Sequence, residues 1–93
     1  MHKIILFTLP NCAPCKALKE QLNTEWISKK TIQIVFLDMN DGKEETLNEA
    51  TKYGIRSAPS AVCIKQVLQI EGEEPVVDTQ VCKTLEQIKE FFN

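Results

Sequence analysis

Four consecutive apolar residues, Ile4-Ile5-Leu6-Phe7, lead within a few residues to Cys12-Ala13-Pro14-Cys15, and an amphipathic stretch starts at once behind them. An unbroken apolar run this short predicts a strand covered on both faces. Leu18, Leu22 and Trp26 then fall at i, i+4 and i+8, the spacing of one buried helical stripe. Lys16, Lys19, Glu20 and Gln21 occupy the wet side. The pattern predicts a helix over residues 13–28, with Pro14 in its first turn, where a missing N–H costs little. A strand that runs into a helix through a dithiol fixes where the sulfurs lie. Cys12 falls at the helix N-terminus, where backbone N–H groups and the helix dipole favour a thiolate. Cys15 lies one turn on, close enough to close a disulfide.

Residues 31–37 give a second strand, mostly apolar, so strand, helix and strand imply a right-handed parallel crossover. Asp41-Gly42-Lys43-Glu44 has the form of a capping box with Asp41 as N-cap. The helix it opens is expected to bury Leu47, Ala50 and Tyr53 and to end at Gly54. Residues 55–59 form a loop into a third strand over 60–70, residues 71–74 turn the chain, and 75–81 return as a fourth strand. Pro75 at its start suits a sheet edge. Thr84-Leu85-Glu86-Gln87 is a second capping box, and Leu85, Ile88, Phe91 and Phe92 give the last helix its apolar face. The order β-α-β-α-β-β-α is a small α/β sandwich with a four-stranded mixed sheet.

At 93 residues the chain is expected to form one domain, residues 1–93, too short for two independent cores. A net charge of −2, with acids and bases interspersed, gives no sign of a nucleic-acid partner. No apolar run approaches the ~20 residues that span a bilayer. The N-terminal apolar run is too short for a signal peptide. The expected compartment is therefore a reducing cytoplasm, where four cysteines point to catalysis or metal binding before a disulfide framework.

For Cys12 and Cys15 the chemistry of choice is redox. Cys12 attacks a substrate disulfide as thiolate, and Cys15 attacks Cys12 in turn and releases reduced product. The competing reading, half of a zinc site, needs four ligands. The remaining candidates, Cys63, Cys82 and His2, are not at ligand spacing, so no metal is expected. Cys63 and Cys82 face each other if the hairpin is symmetric about Gly72-Glu73, and a one-residue slip removes that pairing. They form either a second, regulatory disulfide or two small core residues. His2 reads as a solvated end and Trp26 as core. Arg56 and Lys16 either contact an acidic partner or glutathione, or are solvated surface. Glu71, Glu73 and Glu74 read as a solvated hairpin tip.

The element order, the Cys-x-x-Cys after the first strand and the Ala58-Pro59 that opens the third resemble the thioredoxin/glutaredoxin superfamily over the whole chain. The resemblance implies a cis peptide before Pro59, which packs against the active-site disulfide. It also implies that the backbone of Ala58 pairs with substrate like an added strand. Chain length and Pro10-Asn11-Cys12 look like glutaredoxin. Pro14 beside Cys15, Lys16 after it, and Lys52-Tyr53-Gly54-Ile55-Arg56 look like thioredoxin. Two family features are replaced. Asn11 stands for the thioredoxin Trp, and apolar Ile5, Leu6 and Phe7 leave no buried acid, so water is the simplest proton acceptor for Cys15. Gln80-Val81-Cys82-Lys83 stands where glutathione-using glutaredoxins carry Gly-Gly and an acid.

The resulting expectation is a monomeric cytoplasmic oxidoreductase that reduces protein disulfides and needs no cofactor. A thioredoxin-reductase-type flavoenzyme, in preference to glutathione, is its expected reductant. An electron-transport role as donor to ribonucleotide reductase fits the resemblance. The alternatives are a glutathione-dependent glutaredoxin and a non-catalytic redox-sensing module.

Overall fold

The computed structural model describes residues 2–22, 25–68, 70–74 and 76–93. Its elements are β1 (His2–Thr8), α1 (Ala13–Leu22), α2 (Glu25–Lys30), β2 (Ile32–Asp38), α3 (Glu44–Tyr53), β3 (Ser60–Leu68), β4 (Val76–Cys82) and α4 (Leu85–Phe92). Ile4, Ile5, Leu6 and Phe7 are all buried. Successive strand side chains point to opposite faces, so such a run is stable only inside a sheet covered on both sides. The strand order β2-β1-β3-β4 places β1 there. β1 pairs parallel with β2 and antiparallel with β3, and β3 pairs antiparallel with β4. The expected mixed four-stranded α/β sandwich forms. Ile4 and Leu6 pack with Leu18, Leu22, Ile88 and Phe92 of α1 and α4. Ile5 and Phe7 pack with Val62, Ile55 and Ala50 of α3 on the other face.

Several local expectations are corrected. The helix expected over 13–28 is two helices, and Asn23 and Thr24 between them lie outside the described residues. The second helix buries Ile27, while Trp26 is only half-buried. α2 is closed by Thr31 at φ 57°, a left-handed position unusual for a β-branched residue, so β2 starts at Ile32.

α3 begins at Glu44 with Lys43 as N-cap, not Asp41. Asp41 instead accepts from the Lys43 N–H at 2.8 Å and from Thr46 Oγ1 at 2.7 Å. With Thr46 drawn in, the 46/50 stripe faces the sheet. Leu47, about 100° further round the helix, is exposed instead of buried. Tyr53 is half-buried beside the α3-side core, and Gly54 closes the helix at φ 67°. His2 is no solvated end, because β1 starts with it and its ring lies 5.3 Å from that of Phe92. β3 ends at Leu68, short of the expected 70, with Gln69 outside the described residues. β4 is an edge strand that runs on through Cys82, and Pro75, expected to open it, also lies outside the described residues.

Candidate active site

Sheet register brings three chain segments to one end of the molecule. The chain leaves β1 at Thr8 and enters α1 at Ala13. β3 starts beside that exit, because Ser60 pairs with Phe7. β4 ends beside the same place, because Cys82 pairs with Ala61. The dithiol, Ala58-Pro59 and Lys83 therefore share one edge of the sheet although the sequence separates them widely.

Cys12 is joined to Cys15 by a disulfide with a Cα–Cα distance of 5.2 Å. Cys12 caps α1: its carbonyl accepts the Lys16 N–H at 3.1 Å, and its Sγ accepts the Cys15 N–H at 3.2 Å. A sulfur held by a backbone N–H at a helix N-terminus is placed to carry negative charge once reduced. Cys12 is half-buried, whereas Cys15 is 3% exposed. An incoming disulfide can thus reach the first sulfur but not the second. Asn11, which precedes the pair, adopts φ 58°, a left-handed position that asparagine tolerates better than most residues. A groove of about 600 Å³ runs past the disulfide between Asn11, Leu9, Lys16 and Lys19.

The Ala58-Pro59 peptide is cis, and both residues are half-buried. A contact that the sequence did not disclose braces this loop from behind. Lys83 Nζ donates to Ser57 Oγ at 3.1 Å and also to Ser60 Oγ, and Ser60 Oγ donates to the Ser57 carbonyl at 2.6 Å. Serines on both sides of Ala58-Pro59 are visible in the sequence. Only the β3–β4 register shows that Lys83 reaches them.

Cys63 and Cys82 are free thiols, both fully buried. They do not oppose each other directly: Cys63 pairs with Gln80 and Cys82 with Ala61. An irregularity between Gln66 and Leu68 breaks the hairpin's symmetry. The register differs by two residues from the symmetric pairing, one of them at that irregularity, so both sulfurs stay on one face of the sheet, where they interact diagonally. Burial, first, and then the neighbouring Cys82 push the Cys63 thiol well above its ordinary value. Among the described residues no cluster of three or more His, Cys, Asp or Glu is placed to hold a metal ion. No helix among them is long and apolar enough to cross a membrane.

No protein-family model matches the sequence, and no curated protein matches it by sequence. Solved structures do match. The fold is similar to thioredoxin from Trichomonas vaginalis, with a TM-score of 0.67 and 24% identity over 98% of this chain and 76% of that one. Thioredoxin O2 from Arabidopsis thaliana gives 0.65 and 17% over 98% of this chain and 71% of the other. Mitochondrial thioredoxin 3 from Saccharomyces cerevisiae gives 0.65 and 17% over 98% and 76%. The chain has the thioredoxin fold, with a Cys-x-x-Cys pair at the start of α1.

Proposed function

From the thioredoxin fold and the dithiol it carries, we propose that this protein is a dithiol–disulfide oxidoreductase acting on protein disulfides. The observation that carries the proposal is the hydrogen bond from the Cys15 N–H to Cys12 Sγ at the N-terminus of α1. In the reduced protein Cys12 attacks one sulfur of a substrate disulfide as thiolate. That S–S bond breaks, its second sulfur leaves as a thiolate and takes up a proton, and a mixed disulfide to Cys12 remains. Cys15 then gives up its proton and attacks Cys12 Sγ. The Cys12–Cys15 bond forms, the mixed disulfide breaks, and the substrate's first sulfur leaves and is protonated. Two electrons and two protons pass from the dithiol to the substrate. Ala58 offers backbone pairing to an extended substrate segment, and Pro59 holds that loop against the sulfurs.

The cycle needs a reductant for the oxidised pair, and a thioredoxin-reductase-type flavoenzyme is proposed ahead of glutathione. Val81 is exposed and sets a β-carbon where close backbone approach would be needed. The Lys83 ammonium, held beside the Ala58-Pro59 loop, would repel the ammonium of a γ-glutamyl ligand. A lost charged hydrogen bond costs about 1.5–3 kcal/mol, some tenfold to a hundredfold in affinity. A single 93-residue domain, monomeric and cytoplasmic, serving as electron donor to ribonucleotide reductase among other acceptors, completes the proposal.

The test is steady-state insulin reduction with each electron source in turn. NADPH oxidation through thioredoxin reductase, at many turnovers per protein, is the expected result. Turnover through glutathione and glutathione reductase alone would make the protein a glutaredoxin. A single stoichiometric exchange with either would make it a redox sensor.

A further inference from the structure

One groove borders the disulfide and a second lies beside Pro14 and Pro59, and lysines line both. The first, at about 600 Å³, is walled by Cys12, Cys15, Lys16 and Lys19 and has no carboxylate in its lining. The second, at about 540 Å³, passes between α1 and α4 beside Pro14 and Pro59, with Lys83 on its wall and Glu86 as its one acid. Two of these cations are held in place. The Lys19 ammonium lies 4.7 Å from the centroid of the Phe36 ring. The Lys83 ammonium rests on Ser57 Oγ and Ser60 Oγ.

A tethered ammonium loses less side-chain freedom on meeting an anion than a free one does. An ammonium carries three donors, and the two serines take two from Lys83, which leaves one for a ligand. Among the described residues no carboxylate forms an ion pair with Lys16, Lys19 or Lys83. Neutral serines hold Lys83 where an internal carboxylate would have cancelled its charge.

We propose that the dithiol selects acidic partners: a protein disulfide flanked by carboxylate side chains, met by Lys16 and Lys19 on one side of the sulfurs and by Lys83 on the other. The proposal rests on the oxidoreductase reading above and names its substrate class. Charge of this kind acts mainly on encounter and orientation, so it raises the rate of the first exchange and fades with salt. Each exposed ion pair contributes up to about fivefold.

The experiment is single-turnover exchange between pre-reduced protein and matched disulfide peptides. The peptides differ only in glutamate, glutamine or lysine beside the cysteines, and glutathione disulfide is a fourth substrate. The glutamate peptide is expected to react about tenfold faster than the lysine peptide at low ionic strength, and the difference should shrink in about 0.5 M salt. Lys83→Gln should reduce the glutamate-to-glutamine rate ratio about threefold, and Lys83→Arg should restore it. Lys16→Gln should lower the same ratio independently.

Equal rates for the three peptides in the wild-type protein overturn the acidic-partner inference and leave the oxidoreductase reading standing. A ratio that survives in both glutamine variants overturns the assignment to these lysines. Glutathione disulfide reacting faster than every peptide overturns the inference by giving the second groove to a γ-glutamyl ligand. No reaction with any disulfide overturns the oxidoreductase reading itself.

Discussion

The molecule holds two cysteine pairs, and one scaffold gives them opposite surroundings. Cys12 and Cys15 sit at a helix N-terminus, where one sulfur is half-buried and accepts a backbone N–H. Cys63 and Cys82 lie fully buried in a core with Ile4, Leu6, Leu18 and Ile88. Their partners are weak: Cys63 Sγ lies 4.0 Å from the Ala61 carbonyl, and Gln80 Nε2 donates to Cys82 Sγ at 3.5 Å. A thiolate is stabilised in the first setting and penalised in the second. The two pairs differ in access and in the direction of nearby dipoles.

The sharpest way to break this contrast is to delete one member of each pair. Cys12→Ser should lower disulfide-reductase turnover by about a thousandfold or more, as loss of a nucleophile does. Cys63→Ala and Cys82→Ala should stay within about twofold of wild type once folded protein is normalised. Loss of turnover in a folded Cys63→Ala protein would put the buried pair into the mechanism and end the distinction.

Within the first pair the two sulfurs are expected to differ as well. Cys15→Ser should accumulate a mixed disulfide between Cys12 and substrate, visible as an adduct mass that thiols remove. Cys12→Ser should accumulate none, because buried Cys15 cannot reach a large substrate. An adduct on Cys15 would reverse the roles.

Alkylation compares all four thiols in one sample. After reduction at pH 7, iodoacetamide should label Cys12 first, about tenfold faster than an ordinary cysteine, because its thiolate fraction is larger. Cys63 should be labelled roughly a hundredfold more slowly, at a rate set by opening of the fold. Peptide mass spectrometry over time gives the order. If Cys15 leads Cys12, the nucleophile has been misassigned.

How much of this could be read from the sequence depended on the range over which each feature is decided. The central strand and the dithiol were legible because both are local: a run of apolar residues, then two sulfurs at a helix start. Residues 13–28 misled at their far end because the apolar stripe runs through Trp26, whereas the folded chain buries Ile27 and leaves Trp26 half-buried. Leu47 misled because the roll of α3 is set by the contact between Asp41 and Thr46, outside the apolar pattern. The offset of Cys63 from Cys82 is set by the β3–β4 register, which includes an irregularity between Gln66 and Leu68 and leaves no mark on hydrophobic periodicity. Lys83 on Ser57 and Ser60 was hidden for the same reason, since it depends on where β4 stops beside β3. Features set by register and helix roll required the folded chain.

The smallest expected effect concerns stability in alkali, and it sharpens the contrast from the buried side. With Cys12 and Cys15 kept as a disulfide, neither of them titrates. Cys63 has a folded value raised above its ordinary 9.0, by burial first and by Cys82 second. It therefore stays neutral in the folded protein at a pH where it ionises in the unfolded chain. The sign follows: its contribution is complete below about pH 9 and is lost as pH rises above it, at about 1.4 kcal/mol per pH unit. Cys63→Ala removes that titration but also removes a packed sulfur, which costs about 1 kcal/mol. At pH 7 the variant should be less stable than wild type by that amount. By pH 10.5 the deficit should have vanished or reversed. Urea unfolding of both at pH 7, 9 and 10.5 measures the difference. A stability gap that does not change with pH would mean that the Cys63 thiol is not held neutral by the core, and the two cysteine pairs would then be less unlike than their positions imply.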